Sequence, residues 1–376
     1  MSHNIRLLQI VPSLNSGGVE IGTIDIAKAI SDSGNFSAVA SNGGRLVSLL
    51  KKNGSKHFDL PVGSKNPFIM YKNCSKLKKL LINEKINIMH IRSRAPAWPG
   101  YFAGKGRVKL VSTFHNIYGH ENFIKKFYNS KLGEMDKIIA ISNFVKNKIV
   151  KIYNIPEDKI TVIPRGIDEK KYNLDEINQD IIAEFINKYN IIDDKKIILY
   201  PGRLTEWKGQ IEFLNVLKKL KSKDFFCYFV GDDKNFKYTK KLTEKISDLQ
   251  LNNHCKITGH IDEMKYIYKI SHLVVNASQK PEGFGRVVSE AMAMGKIVVA
   301  YDHGGVSEQI AINSSEFKIP LNDNEKMATS IDKVLNMSKN SIDSVGNISS
   351  AYIKKNFTKD NMILHTKDLY ENLLSL

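Results

Sequence analysis

Short apolar runs, many of them β-branched and bounded by Gly, Pro or Asn, alternate with longer amphipathic stretches, and the alternation occurs twice along the chain. Strands buried on both faces need continuous apolar runs, and parallel neighbours need a crossover helix, so this alternation reads as strand–helix–strand units of parallel sheets. In the first half, Arg6 to Val11, Ser37 to Ser41, Ile86 to Ile91, Lys109 to Phe114, Lys137 to Ile141 and Lys159 to Ile163 are expected strands. Thr23 to Ser31, Cys74 to Asn83 and Asn143 to Tyr153 place Leu, Ile or Val at helical spacing with Lys opposite, and are expected helices. The second half repeats the pattern, with strands at Lys196 to Tyr200, Phe225 to Val230, His254 to Thr258, Leu273 to Asn276 and Lys296 to Ala300. Helices are expected there at Ile211 to Lys221, Thr239 to Asp248, Arg286 to Met294 and Ser307 to Ala311. The polar stretch from Arg165 to Asp194 bridges the halves, and Ala351 to Leu376 reads as a terminal helix.

A chain of 376 residues divided in this way predicts two doubly wound α/β domains, each with a ligand site at the carboxyl edge of its sheet. The expected boundaries are 1–168 and 169–350, with 351–376 as a helix packing back towards the amino-terminal domain. The net charge of +17 is uneven: residues 1–165 carry 26 basic and 10 acidic side chains, and residues 166–376 carry 30 and 29. Cys74, Cys227 and Cys255 are odd in number and lack CxxC spacing, which argues against a disulfide framework and a structural zinc site and for a reducing, cytoplasmic setting. No run approaches the 18 or so apolar residues of a membrane span, so membrane contact is expected to be peripheral, at the inner face.

The strongest chemical signal is Glu282-Gly283-Phe284-Gly285-Arg286-Val287-Val288-Ser289-Glu290, between the strand ending at Asn276 and the helix running to Gly295. Gly283 and Gly285 allow close backbone approach to a ligand, and the first-turn N–H groups of the helix form an anion site. One ligand could touch both carboxylates while its phosphates occupy the helix N-terminus. Composition alone is equally consistent with a loop acid and a solvated helix residue. The second signal is Pro201-Gly202-Arg203-Leu204-Thr205-Glu206-Trp207-Lys208-Gly209, directly after a strand. Two cations five residues apart between glycines form a plausible diphosphate clamp, with a forked guanidinium on one phosphate and a point charge on the other. Taken alone, solvated cations at a strand edge are the commoner explanation.

These residues and their order resemble the retaining family 4 glycosyltransferases of the GT-B fold, of the bacterial cell-envelope and lipopolysaccharide type. The resemblance rests on the Glu-x7-Glu motif, the Gly-Arg…Lys-Gly stretch, Asn15-Ser16-Gly17-Gly18, Thr113-Phe114-His115, Ala140-Ile141-Ser142, Val162-Ile163-Pro164-Arg165-Gly166-Ile167-Asp168 and Gly304-Gly305-Val306-Ser307-Glu308, and spans Ile5 to about Ile310. It implies two Rossmann-like domains facing across a cleft. It implies that Arg203 and Lys208, with Gly202, hold the diphosphate of a nucleotide-sugar donor, and that Glu290 accepts ribose hydroxyls. Glu282 would bind hydroxyls of the transferred sugar, and the stretch Phe284, Gly285, Arg286 and Val287 would support sugar and phosphate. Gly17 and Gly18 would let the first-strand loop approach phosphate and acceptor, and His115 would sit over the donor sugar. Two departures stand out: Val230-Gly231-Asp232-Asp233-Lys234 lacks the second glycine common in the family, and Arg165 stands where Asn is common. Arg165 is as readily a linker charge as a contact to phosphate or an acidic acceptor.

Glu282, His115, Arg203 and Lys208 are therefore the expected catalytic set, with no cofactor and no metal. The cations and helix dipole can stabilise the leaving diphosphate, there is no strand-end Asp-x-Asp, and Asp323 with Glu325 reads as solvated loop acids. The expected reaction moves a hexose-type sugar, with UDP-sugar the first guess, to a lipid-linked, lipopolysaccharide or polysaccharide acceptor, with retention. A GT-B-like epimerase or phosphorylase is the alternative. A basic nucleic-acid binder is the remote one, since it leaves Gly18, Arg203, Glu282 and Glu290 without a purpose. The resemblance implies that the amino-terminal, basic half receives the acceptor, and the stretches 74–85 and 123–131 mix Lys with apolar side chains, as a helix on an anionic bilayer or the solvated face of a core helix does.

Overall fold

In the computed structural model, which describes residues 4–15, 17–173, 177–192, 194–232, 234–310 and 316–375, the chain divides into two units. One runs to Gly166 and takes in the segment from Lys359 onward; the other is Ile167–Thr358.

The first unit holds a sheet of seven parallel strands among the described residues: β1 (Arg6–Ile10), β2 (Phe36–Ser41), β3 (Lys56–Asp59), β4 (Ile88–Ile91), β5 (Lys109–Phe114), β6 (Lys137–Ala140) and β7 (Ile160–Val162). Their order is β3-β2-β1-β4-β5-β6-β7. The chain winds outward from β1 on one side, then returns to pair β4 with β1 on the other. That reversal opens a crevice at the carboxyl ends of β1 and β4. The second unit holds β8 (Lys196–Pro201), β9 (Phe225–Val230), β10 (Cys255–Gly259), β11 (Leu273–Asn276), β12 (Ile297–Tyr301) and β13 (Lys318–Ile319), in the order β10-β9-β8-β11-β12-β13. Its reversal lies between β8 and β11.

β4, β5, β8, β9, β11 and β12 are fully or almost fully buried along their length, as central parallel strands must be. β3 was not expected from the sequence because Lys-His-Phe-Asp has no apolar run; it is an edge strand, and its ladder to β2 is what makes it one. Helices at Val47–Lys52, Ala97–Gly104 and Gln179–Tyr189 were likewise unanticipated, whereas Phe123–Ser130 falls within the stretch 123–131 read as helical. The helix Gln179–Tyr189 interrupts the stretch read as a polar bridge: Asn178 caps it, and Ile182 and Phe185, one turn apart, are buried within the second unit, with Phe185 against Tyr266.

Two expected helices are corrected. The expected helix Ser307 to Ala311 is not helical over 307–310: a 3-10 turn at Gly304–Val306 leads into turns and a bend there, and Ala311 lies outside the described residues. The Gln309 amide is drawn inward to the Phe284 and Gly305 carbonyls, which competes with a continuing helix. The terminal segment is two helices, Lys339–Asn356 in the second unit and Lys359–Ser375 in the first. They break where Ile167 N–H donates to the Phe357 carbonyl at 2.8 Å and Ile167 bridges Thr358. Met362, Leu369, Tyr370 and Leu373 of the last helix complete a core made with Ile5, Leu7, Ile26, Ile30, Ile88 and Val111.

Candidate active site

In the second unit, the two sequence signals converge at the carboxyl ends of β8 and β11. Gly209 adopts a left-handed φ of 79°, and its α-carbon faces the Ala277 carbonyl, where a Cβ would sit 2.4 Å away. Gln279 N–H donates to the Trp207 carbonyl at 2.8 Å. This stitching brings Lys208 to Glu282: Nζ donates to Oε1 at 2.7 Å, both side chains being about nine-tenths buried. The same Oε1 accepts from Asn276 Nδ2 and Ser278 Oγ, each at 2.8 Å. Burial works against the charged carboxylate, but the Lys208 ammonium and the Asn276 and Ser278 donors outweigh it and hold Glu282 below the usual glutamate range. Lys208 Nζ lies 4.6 Å from the centroid of the Trp207 ring, and the exposed Arg203 guanidinium lies 5.8 Å from the same ring.

The loop carrying Glu282 is held from below by Gly304 and Gly305. A Cβ on Gly304, whose φ is +69°, would stand 2.6 Å from the Glu282 carbonyl oxygen, and one on Gly305 would stand 2.3 Å from that of Gly283. Gly305 N–H donates to the Glu282 carbonyl at 2.8 Å, and His303 Nε2 bonds the Ser278 carbonyl at 2.7 Å. Gly285, with a φ of 92°, opens the helix Arg286–Ala293 without a capping side chain. The N–H dipoles at the start of such a helix draw negative charge, although Val288 N–H already donates to the Gly285 carbonyl at 3.0 Å. Glu290, one turn in, is buried. Its Oε1 accepts from Arg286 Nη2 at 2.9 Å and its Oε2 from Tyr268 OH at 3.2 Å. Burial and the neighbouring Glu290 carboxylate push the Tyr172 hydroxyl far above its usual range, so it too stays a neutral donor beside Glu290.

In the first unit, the loop after β1 reaches Gly17, whose φ is 125° and which caps the helix Gly18–Asp32 without a side-chain bond; Ser16 lies outside the described residues. His115 directly follows β5, and Arg165 Nη2 lies 2.9 Å from its Nδ1. A guanidinium can only donate, so Nδ1 accepts and Nε2 carries the imidazole hydrogen. That Nε2 is buried and has no well-formed hydrogen bond among the described residues, although the Arg92 backbone close to the ring acts to raise its pKa. Burial, then the charges of Arg165 and Arg92, hold His115 well below the usual histidine range. Arg92 directly follows β4 and is buried, with Nη1 donating to Gln9 Oε1 at 2.9 Å. Both guanidiniums press on Gly22, where a Cβ would stand 2.2 Å from Arg165 Nη1 and 3.3 Å from Arg92 Nη2. Glu20, in the first turn of that helix, has its pKa raised by burial, partly offset by its own backbone N–H and by the two arginines. Beneath them His90 bonds Tyr370 OH at 2.5 Å and Thr113 Oγ1 at 2.7 Å.

Residues 16–171 match the family described as Glycosyltransferase Family 4, and residues 181–349 match Glycosyl transferases group 1. The crystal structure of a glycosyltransferase from Rickettsia africae ESF-5 is 35% identical, superposes with a TM-score of 0.92 and covers 99% of both chains. The chain belongs to the glycosyltransferases. The Anabaena HepE complex with UDP-glucose shares the fold at 22% identity, with a TM-score of 0.83 over 99% of this chain and 100% of that one. The lipopolysaccharide 1,2-N-acetylglucosaminetransferase of Salmonella typhimurium is 30% identical over 211 residues, 53% of this chain and 50% of that protein. The transferase spans about half the length of the first curated relatives it matches.

The fold of this transferase thus brings Gly202, Arg203, Lys208, Glu282, Phe284, Gly285, Arg286, Val287 and Glu290 to one sheet edge, and Gly17, Gly18, His115 and Arg165 to another. Phe284 packs its ring on Phe357, 5.6 Å between centroids, rather than facing outward. Asp233 lies outside the described residues, while Asp232 Oδ1 accepts from Lys234 N–H at 2.9 Å. Asp323 caps the helix Asn324–Leu335, and Glu325 pairs with Lys219. Arg92, Asn276 and Ser278 were missed by sequence reasoning. Asn276 ends β11, Arg92 directly follows β4 and Ser278 lies two residues past β11, so the strand-edge rule that selected His115 would have found them. His90 with Tyr370 carried no local signal.

Gly304→Ala tests the support beneath Glu282. A left-handed φ and a backbone clash together are expected to cost about 1–3 kcal/mol of stability. Turnover should fall as well, although no charged group is touched. Melting temperature and initial rate measured on one preparation check this; wild-type values for both would show that the loop accommodates a methyl group.

Proposed function

We propose that this transferase moves a hexose-type sugar, with retention at the anomeric carbon, from a nucleotide diphosphate sugar to a lipid-linked, lipopolysaccharide or polysaccharide acceptor. The observation that carries the reading is the buried Lys208–Glu282 pair beside the uncapped helix N-terminus at Gly285. A ligand with hydroxyls at one end and a diphosphate at the other matches a carboxylate, a cation and a helix N-terminus set side by side. Arg203 and Lys208 take the diphosphate, Glu282 takes sugar hydroxyls through its remaining lone pairs, and Glu290 takes ribose hydroxyls in the same way. His115 offers Nε2–H to the sugar.

In the proposed step the acceptor oxygen bonds to the anomeric carbon on the face from which the diphosphate departs. The anomeric C–O bond breaks with its electron pair going to the phosphate, and the acceptor's proton passes to a departing phosphate oxygen. Glu282 Oε1 already accepts from three donors, which supports a positioning role over that of a nucleophile. Trapping a glycosyl adduct on Glu282 would overturn that assignment. No metal is required on this reading, because Arg203, Lys208 and the helix dipole supply the positive charge.

HepE crystallised with UDP-glucose, and the Salmonella relative named for lipopolysaccharide, support a UDP-sugar and an envelope acceptor as the first candidates. The deciding experiment screens UDP, GDP and ADP sugars by thermal shift, since only the cognate nucleotide should raise the melting temperature appreciably. Proton NMR of the product then reads the anomeric configuration. Transfer should proceed unchanged in EDTA, and a rate lost there and restored by Mn²⁺ would reject the metal-free mechanism.

A further inference from the structure

Four apolar side chains of the first unit stand out in solvent: Phe102 is 53% exposed, Phe123 81%, Ile124 77% and Phe127 55%. Isolated exposed apolar residues are ordinary, but these are contiguous. Phe123 and Phe127, one turn apart on the helix Phe123–Ser130, stack at 6.2 Å and an interplanar angle of 15°. Phe127 lies 5.3 Å from Trp98, which lies 6.2 Å from Phe102 on the helix Ala97–Gly104. The ledge has a rigid base. Trp98 Nε1 donates to the Tyr128 carbonyl at 3.0 Å, and Lys131 Nζ sits 4.7 Å from the Trp98 ring and 4.6 Å from Tyr101 while pairing with Glu134 at 2.7 Å. Exposed Lys105, Arg107, Lys125 and Lys126 belong to the same segments, and Glu121 is paired with Lys125.

We propose that this aromatic ledge is a membrane-docking surface for an anionic bilayer, with Phe102, Phe123, Ile124 and Phe127 entering the headgroup boundary and the flanking basic side chains meeting lipid phosphates. Charge decides the occupant. The unit that carries the ledge has 28 basic and 13 acidic side chains, against 28 and 26 in the other, and the two acids beside the ledge are already paired to lysines. A second copy of this chain would set the same lysines against each other. Aromatic side chains rimmed by lysine are the composition that an anionic bilayer interface favours. The proposal gives the transfer reaction a place to meet a lipid-linked acceptor, and in that respect rests on the proposed function; the docking itself does not.

The test is co-sedimentation of the full chain with phosphatidylcholine vesicles, with and without about one third phosphatidylglycerol. The wild type should partition onto the anionic vesicles only, and release at high salt. The triple variant Phe123→Ser, Ile124→Ser, Phe127→Ser should lose at least about tenfold in partition, and so should Lys125→Glu with Lys126→Glu. These are surface positions outside the proposed site, so donor hydrolysis without acceptor should keep its rate. Because the chain has only two tryptophans, a Trp207→Phe background isolates Trp98, whose emission should be quenched by brominated lipid on binding. Wild-type partition in the triple variant, binding to neutral vesicles as strong as to anionic ones, or a ledge that changes oligomeric state by light scattering without changing partition would each overturn the proposal. Vesicle binding that survives while transfer to every acceptor fails would count against the proposed function alone.

Discussion

Glu282→Gln is expected to lower turnover by about 10²–10³-fold while changing nucleotide affinity far less. The substitution keeps the shape of the side chain and its contacts with Asn276 and Ser278, but removes the charge that Lys208 Nζ faces at 2.7 Å. In the proposed complex that charge orients sugar hydroxyls and aims the ammonium at the diphosphate, so its loss falls on the step in which negative charge develops. Lys208→Met acts in the opposite sense, leaving Glu282 charged and nine-tenths buried with only neutral donors. Its carboxyl then loses the partner that most depresses its pKa. Breaking one side of a buried pair typically costs about 3–5 kcal/mol, so Lys208→Met should weaken nucleotide binding, turnover and melting temperature together. The double variant is the control. If the two side chains act as a unit, it should be no worse than Lys208→Met, and strictly additive losses would separate their roles.

Much of this architecture was legible because parallel sheets impose a strong pattern. β8, β9 and β11 are unbroken apolar runs, and their ends could be placed to within a residue or so. The Glu282 and Glu290 spacing was legible for a related reason, since a glycine loop feeding a helix fixes where both carboxylates fall. What sequence could not show is pairing across distance. Lys208 was assigned to phosphate and Glu282 to sugar, and nothing local in either motif says that two residues 74 positions apart share a hydrogen bond. The His90–Tyr370 bond spans 280 positions and depends on the last helix returning to the first unit. Exposed apolar residues defeat pattern reading in another way. Phe123, Ile124 and Phe127 lie at ordinary amphipathic spacing, and only the fold shows that their apolar face has nothing packed over it.

Arg165→Leu should cost about 10–100-fold in turnover without removing any group that touches the donor on the proposed reading, in line with the loss of other orienting partners of a functional imidazole. With Arg165 donating to Nδ1, His115 is confined to the tautomer whose hydrogen is on Nε2, where it can be offered to a sugar oxygen. Leucine frees Nδ1 to take the hydrogen instead, and Nε2 then presents a lone pair to the oxygen it should bind. Arg165→Lys, which keeps a donor and a charge, should restore most of the rate. The pH dependence separates this from a loss of packing. Burial and the two arginines hold His115 well below its usual range, so the wild type keeps the neutral ring well into acid. Removing the Arg165 charge raises that pKa, although burial still holds it down, and the acid limb of the rate profile should move to higher pH. Stability follows the same sign. Below about 6.5 the unfolded chain takes up a proton that the folded wild type refuses, so wild-type stability falls as pH drops, by at most about 1.4 kcal/mol per pH unit for this histidine. In Arg165→Leu that slope should end at a higher pH, because the folded protein accepts the proton sooner. Nitrogen-15 shifts of the His115 ring report the tautomer directly, and an unprotonated Nε2 in the wild type would remove the basis of the prediction.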